Sequence, residues 1–122
     1  MLSAIAKKSI KEVSYHVRFS SDWIKRLGDG TEESHDRIQT AINDLWEFTD
    51  EFFHTTDADK IMISEGIGVD VSLLKEPFYK KVNEILEEAT IEIPKLQYFQ
   101  KGGKQGIHSE HMGYLLAQMQ YM

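Results

Sequence analysis

The chain has 122 residues, 41% of them apolar, and its 20 acidic against 14 basic residues give a net charge of −6. That length corresponds to one ordinary domain with a modest core, and the acidic balance argues against general nucleic-acid binding. The absence of cysteine excludes disulfides, thiolate catalysis and cysteine-based metal centres. Because no apolar stretch is long enough to cross a bilayer and no signal peptide is readable, we expect a cytoplasmic protein without a membrane contact.

The first predicted element is a helix from Ser3 to Leu27. Its apolar residues recur at spacings of three, four or seven, which places them on one helical stripe. These residues are Ala6, Ile10, Val13, Val17, Ile24 and Leu27. A second stripe of Tyr15, Phe19 and Trp23 runs beside the first. Because one antiparallel neighbour cannot cover both stripes, we expect the isolated chain to form a homo-oligomer or to dock on a partner.

A second helix is predicted over residues 32–54, where the apolar periodicity is the strongest in the chain. The segment from Gly28 to Gly30 should end the first helix, and Thr31 can cap the second. Because the connection is so short, the two helices should form an antiparallel hairpin.

The remaining sequence carries weaker helical signals. A short helix is predicted over residues 57–63 and a third long helix over 73–89, with glycines interrupting the pattern between them. Residues 101–106 should form a loop, followed by a last helix that carries His108 to Met122. The chain is therefore predicted to be a single all-α segment over residues 1–122.

Glu12 and His16 are the first candidate functional residues, because an acid and a histidine four residues apart share one face of a helix. Bundle proteins build metal sites from such faces, but their di-iron sites favour the spacing Glu-x-x-His. The residue three before His16 is Val13, which cannot bind a metal ion. A structural polar pair of Glu12 and His16, or a buried histidine with a partner, is therefore favoured over a ligand pair.

Two further groups could carry chemistry near the end of the chain. His108 and His111 are three residues apart and could hold zinc only if two more ligands came from elsewhere. Lys101 and Lys104 belong to a basic, glycine-rich loop that could approach a phosphate group. The loop lacks the other parts of a phosphate-binding loop, so a plain solvated connection is the alternative.

Three longer strings are far more specific than any of these spacings. They are KEVSYH at residues 11–16, RLGDGTEES at 26–34 and GKQGIHSEHMGYLL at 103–116. In these strings, and over nearly its whole length, the chain resembles the C-subunit family of the bacterial phenylacetyl-CoA 1,2-epoxidase, the oxygenase of phenylacetate degradation. The resemblance implies the C-terminal portion of a ferritin-like helical bundle, namely its last core helix and the helices that follow.

The resemblance also implies a role beside a catalyst. The family's enzyme is a multicomponent, NADPH-dependent monooxygenase that epoxidises phenylacetyl-CoA, and its homologous catalytic A subunit is a ferritin-like di-iron protein. Against the last ligand helix of that protein, His16 matches the ligand histidine, Val13 falls at the ligand glutamate, and Glu12 matches a non-ligand glutamate. A structural subunit is thus implied, without a metal or catalytic residue of its own, that stabilises the di-iron subunit within the epoxidase complex.

Two other functions stay open from the sequence. One is a self-contained metalloenzyme that uses His16, His108 and His111, and the other is a helical acyl-CoA-binding module that acts through Lys101 and Lys104. In the favoured structural role, the two lysines are candidates for contact with coenzyme A or with a partner subunit. We expect them to affect assembly more than folding.

Overall fold

The computed structural model describes residues 1–96 and 98–121. Its α-helices are α1 (Leu2–Gly28), α2 (Glu32–Trp46), α3 (Asp57–Ser64), α4 (Lys75–Glu88) and α5 (His111–Met119). Short 3₁₀ helices cover Asp50–Phe53, Val71–Leu74 and Gly103–Gln105, and no strand occurs in the described residues. The all-α prediction is therefore confirmed, and the helical structure agrees with the ferritin-like class.

The chain divides into two compact units. The first comprises Met1–Asp44 and Pro77–Lys95, and the second comprises Leu45–Glu76 and Leu96–Met122. The buried apolar side chains of the first unit are Ile85, Leu86, Ala89 and Ile91, and those of the second are Trp46 and Phe53. That residues 1–122 fold as a single segment stays a prediction.

The longest helix, α1, has 27 residues, and neither α1 nor any other helix in the described chain is long and apolar enough to span a membrane. The aromatic stripe is present on its surface. The rings of Tyr15 and Phe19 stack with their centroids 5.9 Å apart, and the rings of Phe19 and Trp23 meet edge to face at 6.3 Å. All three side chains are exposed within this chain. Self-association of the isolated chain stays a prediction.

The turn between α1 and α2 has the predicted form. α1 ends at Gly28, and the Asp29 N–H donates to the carbonyl oxygen of Lys25 at 2.9 Å. The hydroxyl oxygen of Thr31 accepts the N–H of Ser34 at 3.2 Å, so the predicted cap of α2 is confirmed. These bonds satisfy backbone groups at both helix ends.

α4 ends in a Schellman motif in which a threonine takes the left-handed position that glycine usually fills. The Ile91 N–H donates to the Leu86 carbonyl oxygen at 2.9 Å, and the Thr90 N–H donates to the Glu87 carbonyl oxygen at 3.1 Å. Thr90 has a φ of 59°, a costly conformation for a β-branched residue. Its hydroxyl lies 3.3 Å from the carbonyl oxygen of Gly28, so the motif also joins α4 to the end of α1.

The side chain of Gln39 connects α2 to the segment that follows α4. Its amide nitrogen donates to the carbonyl oxygen of Glu92 at 2.9 Å, and its amide oxygen accepts the Glu92 N–H at 2.8 Å. Both backbone groups of Glu92 are thereby satisfied, in the way that a neighbouring β-strand would satisfy them. One side chain therefore holds the backbone of Glu92 beside α2.

Two helix boundaries differ from the prediction. α2 stops at Trp46 instead of residue 54, because the N–H and the hydroxyl of Thr49 both donate to the Trp46 carbonyl oxygen and the chain then turns into a 3₁₀ helix. α4 begins at residue 75, because the residues before it, predicted to be helical from 73, form the 3₁₀ helix Val71–Leu74.

The last helix also begins later than predicted. α5 starts at His111, so His108 lies in the preceding loop, and Met122 lies outside the described residues. Gly106 has a φ of 84°, and the Ile107 N–H donates back to the Gly102 carbonyl oxygen at 2.8 Å. This closed turn keeps the chain out of the helix until after Ile107.

Candidate functional site

The second unit contains a cleft of about 630 Å³ beside the loop that precedes α5. The polar part of its lining includes Lys101, His108, Ser109 and His111. Its apolar part comes from Phe48, Ile107, Met112 and Leu115. This cleft, called the α5 cleft below, brings one of the predicted loop lysines together with the predicted histidine pair.

Glu51 anchors the loop that forms one wall of the α5 cleft. Its carboxylate accepts the backbone N–H groups of Gly102 and Lys104, each at 3.0 Å. The N–H groups of Lys104, Gly103 and Gly102 hold the pKa of the Glu51 carboxyl below its ordinary value, although desolvation opposes them. The carboxylate is therefore ionised at neutral pH, and its bonds fix the backbone of the loop.

The two loop lysines have different surroundings. The ammonium group of Lys104 donates to the carbonyl oxygens of Phe52 at 3.1 Å and His54 at 2.8 Å. Lys101 is exposed at the α5 cleft and makes no hydrogen bond or ion pair to other described residues. The sequence gives no reason to distinguish the two lysines. In the structure, the hydrogen bonds of Lys104 connect the loop to the 3₁₀ helix Asp50–Phe53 and to the residue that follows it. Contact of either lysine with coenzyme A or a partner stays a prediction.

Replacing Lys104 with methionine is expected to lower the free energy of unfolding by about 1–2 kcal/mol, because two carbonyl oxygens lose a charged donor. Lys101→Met is the matched control, since it makes the same change of charge and shape in the same loop. It should stay within about 0.5 kcal/mol of the parent. Urea denaturation followed by circular dichroism measures both, and equal losses would contradict the structural role of Lys104.

Asp50 is the second anchoring carboxylate of the same 3₁₀ helix. It accepts the ammonium group of Lys75 at 2.6 Å, and its other oxygen lies 3.1 Å from Nε2 of His54. The bond from Lys75, and then that from His54, lower the pKa of the Asp50 carboxyl against the effect of desolvation. Asp50 and Glu51 therefore hold two separate stretches of the second unit, one at Lys75 and one at the α5 cleft.

Acidification is expected to release the loop at Glu51. The folded-state pKa of this carboxyl lies below its ordinary value of 4.5, so its contribution to stability is present above that pH. The contribution is lost as the pH falls through the lowered folded-state pKa. Amide hydrogen exchange, corrected for intrinsic rates, should show the protection of Gly102 and Lys104 decreasing as the pH falls below 4.5.

Glu51→Gln is the control for this titration. The amide keeps the size of the side chain and one acceptor oxygen but cannot titrate. Protection of Gly102 and Lys104 in this variant should be weaker at neutral pH and should not show the acid-dependent step. A parent chain whose loop protection is unchanged across the acid range would contradict the anchoring role.

The candidate residues of the first helix do not line the α5 cleft. Glu12, Val13 and His16 are all exposed on α1, in the first unit. No hydrogen bond joins Glu12 to His16 in the described structure, and the ring of His16 meets that of Tyr15 edge to face at 6.2 Å. The polar pair therefore stays a prediction. In the described part of the chain, no group of three or more His, Asp and Glu side chains is placed to hold a metal ion.

Comparison with known proteins identifies the family. A family model described as phenylacetic acid catabolic protein matches residues 1–122. The chain belongs to the phenylacetic acid catabolic protein family. It is 46% identical over 121 residues to the C subunit of the 1,2-phenylacetyl-CoA epoxidase of Escherichia coli (strain K12). That match covers 99% of this chain and 49% of the relative, so the chain spans about half the length of the curated relative that it matches.

Membership of the phenylacetic acid catabolic protein family confirms the resemblance seen in the sequence strings. The string at residues 26–34 covers the α1–α2 turn, which contains the end of α1, the Thr31 cap of α2 and the Gly28 carbonyl oxygen that Thr90 approaches. The string at 103–116 covers the wall of the α5 cleft and the first turns of α5. Two of the three strings thus coincide with the α1–α2 turn and with the wall of the α5 cleft.

Several residues whose side chains make long-range hydrogen bonds in the fold and at the α5 cleft were not predicted. Glu51 and Asp50 were assigned only to the predicted second helix over residues 32–54, and Gln39 was not singled out. Their partners lie far along the chain, as Glu51 with Lys104 shows, so no local pattern marks them. The apolar period gave no signal either, because it continues past Trp46 through Phe52 and Phe53, whereas the structure places the two acids in a 3₁₀ helix after the end of α2.

Proposed function

We propose that this chain acts within a non-catalytic structural subunit of a multicomponent oxygenase that epoxidises phenylacetyl-CoA in aerobic phenylacetate catabolism. The observation that carries the proposal is the 46% identity to the epoxidase's C subunit across 99% of the chain. The proposed role is to stabilise a homologous catalytic subunit that holds the di-iron centre, together with the other epoxidase components. The assembly is proposed to work in the cytoplasm.

Val13 supports the non-catalytic part of the proposal. A bridging glutamate supplies both negative charge and two oxygen ligands to a di-iron centre, and valine supplies neither. The valine side chain is 56% exposed on α1, and the neighbouring Glu12 and His16 are exposed as well. The residues of α1 therefore do not fit a di-iron site, and we assign the metal to the partner subunit.

The surface of α1 supports the docking part of the proposal. The aromatic stripe of Tyr15, Phe19 and Trp23 is exposed, and Arg18 and Arg26 lie over its rings at 5.8 Å and 5.7 Å. An exposed row of aromatic side chains flanked by arginines has the composition of the central part of many protein interfaces. We propose that this stripe contributes to contacts within the assembly.

Co-purification with the catalytic partner tests the proposal. The full-length protein that contains this chain should co-purify with the di-iron subunit, and the complex should turn over phenylacetyl-CoA when reductase and NADPH are supplied. A complex that contains His16→Ala should assemble and turn over at the parent rate, because no catalytic role is assigned to this histidine. Failure to assemble, or loss of turnover by His16→Ala in an intact complex, would contradict the proposal.

Elemental analysis provides an independent prediction. The purified chain, and the full-length protein without its partner, are expected to contain no stoichiometric iron, because Val13 removes a needed carboxylate. The catalytic partner prepared in parallel is the positive control for iron loading. Two irons per chain that survive dialysis against a chelator would favour the self-contained metalloenzyme instead.

A further inference from the structure

The α5 cleft has the size and composition of a site for a small organic ligand. Its volume of about 630 Å³ lies within the range of small-molecule pockets, which extends from about 300 to 1,000 Å³. Such sites combine an apolar surface with a few polar groups that fix the ligand's orientation. Here the apolar surface comes from Phe48, Ile107, Met112 and Leu115, and the polar side chains are those of a lysine, two histidines, a serine, a glutamine and the anchored acid Glu51.

The charges at the cleft favour an anion. Lys101 lines the cleft, and its ammonium group makes no hydrogen bond or ion pair within the described chain. His108 and His111 add two imidazoles that can donate N–H groups, and the hydroxyl of Ser109 is a further donor. The acid in the wall, Glu51, accepts the N–H groups of Gly102 and Lys104 at one carboxylate oxygen, Oε1. Its charge is therefore partly balanced before a ligand arrives.

The loop that carries these donors is fixed in advance. Besides the bonds at Glu51, the Gln100 N–H donates to the Glu47 carbonyl oxygen at 3.0 Å, and the ammonium group of Lys104 binds two carbonyl oxygens of the chain at residues 52 and 54. Fixing a loop before binding reduces the entropy that the ligand must offset. Lys104 thus positions the wall of the site, while Lys101 is left to meet the ligand.

We propose that the α5 cleft binds a small organic anion in which a phosphate or carboxylate group is joined to an aromatic or acyl group. Lys101, with His108 and His111, faces the anionic group, and Met112 and Leu115 contact the apolar group. The inference rests on the cleft alone, so its failure would leave the proposed assembly of the epoxidase untouched.

Titration of the labelled chain with phenyl phosphate tests this site. Saturable chemical-shift changes are expected at the amides of residues 107–115, with inorganic phosphate and phenol each binding more weakly because each offers only one half of the ligand. A parallel titration with phenylacetate tests whether the cleft distinguishes a carboxylate from a phosphate ester. Equal responses assign the cleft to organic anions of both kinds, and a response to phenyl phosphate alone assigns it to phosphate esters.

Variants identify the groups responsible. Lys101→Gln should weaken phenyl phosphate binding about fivefold, the effect of losing one charged donor at an exposed site. Lys80→Gln, a change of the same charge at a lysine that does not line the cleft, should leave the affinity unchanged. Leu115→Ser should weaken phenyl phosphate but not inorganic phosphate, with thermal melts confirming that each variant is folded. The proposal is overturned if neither aromatic anion saturates, or if the two lysine variants weaken binding equally.

Discussion

Gly28→Ala is expected to lower the free energy of unfolding by about 2 kcal/mol. A Cβ atom at this position would meet the carbonyl oxygen of Ala89 and would lie 3.0 Å from the Ala89 Cβ. Ala89 is fully buried, and the carbonyl oxygen of Gly28 itself accepts a bond from the ring of His35 at 2.9 Å. Because both sides of the contact are fixed, the added methyl must push α1 away from the end of α4.

Gly113→Ala is the control, and it is expected to raise the free energy of unfolding instead of lowering it. Gly113 lies inside α5, and nothing is within 4 Å of the position that its Cβ would take. Alanine is the better helix former by about 1 kcal/mol, so this variant should be stabilised by roughly 0.5–1 kcal/mol. Urea denaturation of the two variants separates a steric cost from helix propensity, and a neutral or stabilising Gly28→Ala would refute the close packing.

Leu86→Ala should cost about 3 kcal/mol of unfolding free energy. Leu86 is 1% exposed, the most buried large side chain in the described chain, and its carbonyl oxygen closes the Schellman motif at Ile91. Truncation removes apolar contact and leaves a cavity that a rigid helix end cannot collapse to fill. The measurement is the denaturation midpoint in urea with the slope held common to the parent.

Leu73→Ala is the matched control for the core. The same three heavy atoms are removed, but Leu73 is 72% exposed in the 3₁₀ helix Val71–Leu74. Its loss should change the free energy of unfolding by no more than about 0.5 kcal/mol. Similar losses for the two leucines would show that the burial of Leu86 does not set the stability of the first unit.

The long, regular helices were predictable from the sequence. The points at which tertiary contacts end a helix were not. α1 was predicted almost to the residue, because its apolar spacing is regular and glycines mark its end. α2 was extended to residue 54 because the apolar period continues through Phe52 and Phe53. What stops it is the turn at Thr49 and the capture of Asp50 and Glu51 by partners from other parts of the chain.

The end of α4 shows a second limit of sequence reasoning. A Schellman motif is usually signalled by glycine, and here Thr90 takes that position. The threonine hydroxyl donates to the carbonyl oxygen of Ala89 at 2.6 Å and lies 3.3 Å from that of the distant Gly28, and the next residue, Ile91, is buried. A residue that local preference disfavours thus marks a point where two distant segments meet.

The candidate site was predicted in its parts but not as an arrangement. The histidine pair and the loop lysines were singled out from spacing and charge, and His108, His111 and Lys101 do line one cleft. The different roles of the two lysines could not be predicted, because the carbonyl oxygens that bind Lys104 lie about 50 residues earlier in the chain. Backbone acceptors have no sequence signature, so a lysine bound to them looks the same as a solvated one.

The pairing of Gln39 with Glu92 has a consequence for how copies of this chain meet. An extended segment with free N–H and C=O groups is a template on which another chain can add a strand and begin to aggregate. At Glu92 both groups are already occupied by one side-chain amide. A helix therefore supplies the partner that a second molecule would otherwise offer, and intermolecular strand addition cannot start at this residue unless the amide is first displaced.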